Sequence, residues 1–219
     1  MSRGRPPTGT AFCYSYGVTL APPALPRSLS ERLGYLALRL SGWHVVGIRP
    51  TASRFLIIVA PHTSSWDFLV GLACGYGAGI LSRWPYGFFI KAGLFLGPLA
   101  PVLRGLGGIP IDRSAPHDAA RGGAALLARR ERYLLVITPE GTRRRTEHWR
   151  SGFYHIARIA GVPVVPVSLD YERRECRIGP ARELTGNSEV DLEVFRRFYA
   201  GVQAKHPERF GPIRFRDAG

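Results

Sequence analysis

Phe55-Leu56-Ile57-Ile58-Val59-Ala60 runs without a break into Pro61-His62-Thr63-Ser64-Ser65-Trp66-Asp67. Six consecutive apolar residues bounded by turn chemistry are the pattern of a strand buried on both faces, as in parallel sheets covered by helices. Beyond the turn the spacing changes. From Ser64 onward, Phe68, Leu69, Leu72 and Tyr76 recur every three or four positions, which predicts a helix.

The same alternation extends outward. Residues 133–138 (YLLVIT) read as a second buried strand, and residues 86–90 and 109–111 as shorter strands around an apolar segment broken by Gly and Pro. Residues 162–171 are the last strong strand. Pro163 and Pro166 each remove a ladder donor, so this strand is expected at an edge or interrupted. Leu29, Leu33, Leu36, Ala37 and Leu40 fall at helical spacing and Gly42 ends that run. Further helices are expected from Pro116 to about Arg132, over residues 153–160 up to Gly161, and over residues 190–204. Strands alternating with helices predict an α/β fold: a single domain with a mixed, largely parallel sheet flanked by helices. At 219 residues, one domain accounts for the chain. The expected boundaries are a flexible extension over residues 1–27, a folded domain over 28–212 and a tail over 213–219.

A hydrophobic content of 45% excludes a disordered chain. Three cysteines without ligand spacing argue against a disulfide framework or a Cys-based zinc site, and suit a reducing compartment. Thirty Lys and Arg against sixteen Asp and Glu leave a net charge of +14, which points to a polyanionic partner: nucleic acid, an anionic membrane, an acidic protein or a phosphorylated substrate. No stretch reaches the roughly 18–20 apolar residues of a spanning helix. Arg3 and Arg5 precede an apolar stretch resembling a signal peptide, but Tyr14, Tyr16 and the Pro22–Pro23 pair spoil it.

Three segments could carry chemistry. His62 and Asp67 flank a strand-to-helix turn, where α/β folds present reactive groups. A carboxylate beside an imidazole makes a general-base pair. Ser64 and Asp67 equally form a Ser-x-x-Asp capping box, which would occupy Asp67 with backbone amides. Pro139-Glu140-Gly141-Thr142-Arg143 follows the second buried strand. Its glycine can turn amides toward an anion, its threonine adds a hydroxyl, and its arginine offers a planar fork for phosphate. An ordinary solvated turn with a charge run has the same composition. Arg113 stands just past the strand at 109–111, where it faces the same crevice or lies on the surface. His155, on an apolar helix, reads as a packed core residue. No Gly-x-Ser-x-Gly elbow, Walker-type loop or His-Glu-x-x-His is present.

In this order the segments resemble the motifs of the glycerolipid acyltransferase family, which includes the lysophosphatidate-forming and lysophospholipid acyltransferases. His62-x4-Asp67 resembles the first motif, residues 108–113 the second, Glu140-Gly141-Thr142-Arg143 the third, and the Pro-containing run at 162–167 the fourth. The similarity spans about residues 36–210, and its form is similar to small bacterial members. Many relatives carry Asn before the motif histidine, where this chain has Pro61; a hydrogen bond from an amide at that position is absent here.

The resemblance implies a glycerol-3-phosphate acyltransferase-like fold and transfer of an acyl group from a thioester to a lysophosphatidate-like hydroxyl. In that scheme His62 is the general base and Asp67 orients it. Arg113, Gly141, Thr142 and Arg143 hold the acceptor phosphate, and Glu140 braces the arginines or the glycerol. Acyl-CoA or acyl carrier protein would be the donor co-substrate, with no bound cofactor and no metal. Another lysophospholipid, glycerol 3-phosphate or a lyso-aminolipid are alternative acceptors. A nucleic-acid-binding module is the reading from another class; it lacks a motif, and no nucleic acid is expected as partner. A lipid acceptor implies work at the cytoplasmic face of the cell membrane, as a peripheral or monotopic protein on an anionic surface. The leucine face of the first helix and the segment 88–102, with Phe89, Leu94, Phe95 and Leu96 beside Lys91, would enter the interface. Both segments could equally be core.

Overall fold

The computed structural model describes residues 28–111 and 116–216. Its strands are β1 (His44–Gly47), β2 (Arg54–Ala60), β3 (Tyr86–Lys91), β4 (Gly108–Ile111), β5 (Tyr133–Ile137), β6 (Val164–Asp170) and β7 (Glu175–Ile178). The helices are α1 (Leu29–Ser41), α2 (Trp66–Gly77), α3 (Ala100–Gly105), α4 (Pro116–Ala128), α5 (Gly152–Ala160) and α6 (Ser188–Tyr199). The strands form one sheet in the order β1-β7-β6-β2-β5-β3-β4. Every neighbouring pair is parallel except β6 with β7. The chain is therefore mixed α/β with a mostly parallel sheet.

The strand of the FLIIVA run lies at the centre, and its alternation divides two cores. Leu56, Ile58 and Ala60 face α4, α5 and α6, packing with Leu127, Phe153, Ile156, Phe195 and Tyr199. Phe55 and Ile57 face α1 and α2, packing with Leu38, Cys74 and Val165. Both faces being covered is why the run is apolar throughout.

The β6 strand corrects the sequence reading. It is neither an edge nor interrupted: it lies between β2 and β7, with all seven residues buried. Pro163 precedes the strand. Pro166 sits inside it, with its carbonyl accepting from Gly179 N–H at 2.8 Å. A residue's carbonyl and nitrogen point to the same side of a strand, so the missing N–H faces β7. The paired run of β7 ends at Ile178, opposite Val167, and the proline costs little there. Helix ends also differ. The helix from Pro116 stops at Ala128 rather than Arg132, and α6 ends at Tyr199, before Gly201. Residues 213–216 do not trail away, because Ile213 and Phe215 pack against the core. The four-residue strands β1 and β7 are too short to stand out as strands by local pattern, although Glu175-Cys176-Arg177-Ile178 alternates half-buried and buried residues as a strand does.

The first helix turns its face outward. Ser28 caps it, and Gly42 ends it in a left-handed conformation at the stop expected from the sequence. Its buried positions, however, are Glu31, Gly34 and Leu38. A Cβ on Gly34 would come within 2.7 Å of Gly77 N, so α1 and α2 meet through glycine at close approach. Leu29, Leu33, Leu36 and Leu40 are exposed, two of them at 72% and 80%. In the second apolar segment Phe95 is buried and Phe89 packs against the core, whereas Leu94 and Leu96 are exposed.

Phe153 is 1% exposed and meets the rings of Trp149, Tyr154, Phe195 and Phe215. Phe153→Ala should lower stability by about 3–5 kcal/mol, measured as a fall in the urea midpoint with an unchanged slope.

Candidate active site

β2 and β5 are neighbours and run parallel, so the turns after them emerge side by side at the same sheet edge. Their chains then leave on opposite faces, β2 into α2 and β5 toward α5. Such a divergence opens the crevice in which α/β sheets bind ligands. The turn 61–67 and the loop 138–145 form its walls.

Asp67 organises the turn. It is 4% exposed. Its Oδ2 accepts from Thr63 N–H and Ser64 N–H, both at 2.8 Å, and lies 3.1 Å from His62 Nδ1. Its Oδ1 accepts from Tyr171 O–H at 2.7 Å. Capping and orienting therefore coexist in one carboxylate. Ser64 is not the helix cap itself: Ser65 precedes Trp66, the first helical residue, and Ser64 Oγ accepts from Trp66 N–H. Burial pushes the Asp67 carboxyl up, but the hydrogen bonds from His62, Tyr171 and Ser64 outweigh it and hold the group below its ordinary value. An ionised carboxylate can only accept, so Nδ1 is the ring nitrogen of His62 placed to donate to it. The imidazole keeps 21% of its side chain exposed.

Glu140 closes the turn from β5. Its Oε2 accepts from His62 N–H at 2.8 Å, so it braces the backbone of the histidine rather than an arginine. Glu140 is 4% exposed, and among the described residues its Oε1 has no hydrogen-bond partner. Burial, reinforced by the nearby Asp67, pushes its carboxyl up to about 8. At neutral pH Glu140 is mostly the uncharged acid beside an ionised Asp67.

Gly141 has φ +65°, a conformation glycine adopts without strain, and its N–H donates to Thr138 O at 3.0 Å. Thr142 Oγ1 accepts from Arg144 N–H. Arg143 is exposed and its Nη1 donates to Ser65 Oγ, which brings the third motif onto the start of α2. Arg113 lies outside the described residues. His155, expected in the core, is exposed.

Residues silent in the sequence complete the turn. Thr63 Oγ1 accepts from His206 N–H and Thr63 O accepts from Arg209 Nη1, both at 3.2 Å. Tyr171 reaches Asp67 across 104 positions, and no local pattern announces a contact at that separation. Beside the loop, on the α5 face, a cavity of about 970 Å³ is lined by Phe89, Ile111, Ile137 and Ile156, with Arg150 and Gly141 at its polar side; His62 is not on its lining. Among the described residues no group of three or more His, Cys, Asp or Glu is placed to hold a metal ion.

A family model described as Acyltransferase matches residues 44–170, more than half of the chain, and takes in both walls of the crevice. The chain belongs to the acyltransferase family. That is the glycerolipid acyltransferase family indicated by the four motifs, and acyl transfer is the general activity it carries. No curated protein and no solved structure matches this acyltransferase.

The elevated Glu140 carboxyl makes a signed prediction. The unfolded chain ionises this group near 4.5, whereas the folded acyltransferase holds the proton to about 8. Between those values the folded state binds the extra proton, so this contribution to stability is full below the lower value and is lost as pH rises through the upper one. Urea midpoints of the wild type should fall across that window relative to those of Glu140→Gln.

Proposed function

We propose that this acyltransferase moves a fatty acyl group from a thioester, acyl-CoA or acyl carrier protein, to the free hydroxyl of a lysophosphatidate-like glycerolipid. The observation that carries the reading is the His62 Nδ1 to Asp67 Oδ2 contact of 3.1 Å, with Arg143 drawn onto the same helix start. With Nδ1 held, Nε2 of His62 removes the proton from the acceptor hydroxyl as its oxygen attacks the thioester carbonyl. Collapse of the tetrahedral intermediate breaks the carbon–sulfur bond, and the imidazolium returns the proton to the departing thiolate. Such acid–base help is typically worth roughly 10²–10⁴ in rate. Arg143 and the loop behind it supply the positive end of the site for a phosphate, a planar fork being suited to that geometry. Glu140, held uncharged, fixes the main chain of His62 without adding a second negative charge beside Asp67. The cavity next to the loop, lined by apolar side chains together with Arg150, Arg158 and Arg216, has the volume of a small-lipid site.

Purified protein incubated with a panel of lysophosphatidate, other lysophospholipids, glycerol 3-phosphate and a lyso-aminolipid, with both donors, tests the reading by product mass. The expected product is a diacylated phosphatidate. His62→Ala should remove transfer while the protein stays folded. Arg143→Ala should lower kcat/KM on the phosphorylated acceptor by ~1.5–3 kcal/mol, with Arg143→Lys restoring only part. A folded His62→Ala variant turning over at the wild-type rate contradicts the general-base role.

The same reading sets the enzyme on the cytoplasmic membrane surface. No described helix is long and apolar enough to cross a membrane. The outward leucines of α1, flanked by Arg32 and Arg39, and the exposed Leu94 and Leu96 near Lys91 form apolar faces with cations beside them. Embedded leucines and headgroup-paired cations are the parts of an interfacial helix. The protein should float with vesicles rich in anionic lipid, and the Leu33→Gln/Leu36→Gln/Leu40→Gln variant should stay folded yet bind much less.

A further inference from the structure

We propose that Tyr171 is a positioning residue of the His62–Asp67 pair, acting through its hydroxyl on Asp67 Oδ1. The inference rests on the general-base reading given above and adds to it the group that decides which carboxylate oxygen meets the imidazole.

The two oxygens of Asp67 have separate partners. Oδ2 serves His62 and the amides of Thr63 and Ser64, while Oδ1 serves Tyr171 at 2.7 Å. In a carboxylate this deeply buried, an oxygen without a donor is costly, and the group would rotate or take up a proton to relieve it. The phenol removes both options. It satisfies Oδ1 from the far side of the turn, so Oδ2 stays on Nδ1 of His62.

Tyr171 is itself held by groups other than Asp67. It follows β6, the strand beside β2, and its main-chain N–H donates to Gln203 O at 2.8 Å. Its ring meets the edge of Trp43 with centroids 5.0 Å apart, and the Lys205 ammonium lies 5.7 Å from the ring centre. The same segment after α6 supports the turn from below, through His206 and Arg209 on Thr63. The phenol and the turn therefore share one scaffold. Burial, and then the adjacent Asp67, push the phenol's ionisation far upward, so it remains a donor wherever the enzyme is folded.

Tyr171→Phe keeps the ring and its neighbours and removes only the oxygen. The variant should fold, and kcat for acyl transfer should fall about ten-fold, the size of one hydrogen bond to a charged group, with KM for both substrates unchanged. In an Asp67→Ala background the same substitution should have no further effect, because no carboxylate is left to orient. An equal ten-fold loss in that background overturns the proposal. So does an unchanged kcat, a loss confined to KM, or a Tyr171→Phe protein that does not fold, which would make the hydroxyl a structural bond. Full activity of Asp67→Ala would overturn the pair itself, an outcome distinct from activity lost in Asp67→Ala and retained in Tyr171→Phe.

Discussion

A buried carboxylate with four donors holds this structure's working turn in shape. Taking Asp67 out of water costs several kcal/mol unless its oxygens are satisfied. Thr63, Ser64, His62 and Tyr171 satisfy them, each from a fixed direction. The arrangement constrains both sides. The carboxylate stays ionised because it is saturated with donors, and the residues that saturate it cannot move without uncovering it. The imidazole thereby acquires one nitrogen that is committed and one that is available. In the reaction proposed above, that asymmetry is what the general base uses.

Around that turn the sheet brings together two carboxyl groups in opposite states. Asp67 is held below its ordinary value by its donors, while Glu140 is raised to about 8 by burial and by Asp67 itself. Both act on His62, by different contacts. The ionised one grips the imidazole ring, and the protonated one grips the main chain of the same residue. Two neighbouring carboxylates ionised together would repel, and environment rather than residue type separates their roles. The pairing of β2 with β5 is the reason they meet at all.

The α1–α2 contact shows how packing reassigns an apolar pattern. Helical spacing marks Leu29, Leu33, Leu36 and Leu40 as one face, and that face exists. What goes against α2 is the other side, where Gly34 and Gly77 let the helices approach and Glu31 is buried with the Ser82 hydroxyl bonded to it. A leucine stripe states only that it avoids water; whether a sheet or a lipid layer accepts it depends on which side fits its neighbour.

Much of the fold was legible in the sequence, because burial on both faces writes itself as an apolar run and a helix end as a glycine. The FLIIVA and YLLVIT strands, the turn at 61–67 and the loop at 139–143 were all located by such local signals. The His62–Asp67 pairing was legible too, since five residues of one turn set the distance. Three things were settled only by tertiary structure. The central place of β6 depends on which side Pro166 turns its missing N–H toward, and that is a property of the neighbouring strand. Glu140 meets His62 because β5 pairs with β2, a contact across 78 residues. Tyr171 reaches Asp67 because β6 lies on the other side of β2. Sequence spacing encodes contacts within a helical turn or a strand pair of the same segment; the order of strands in a sheet is chosen by the summed packing of both faces, and no single stretch of residues contains it.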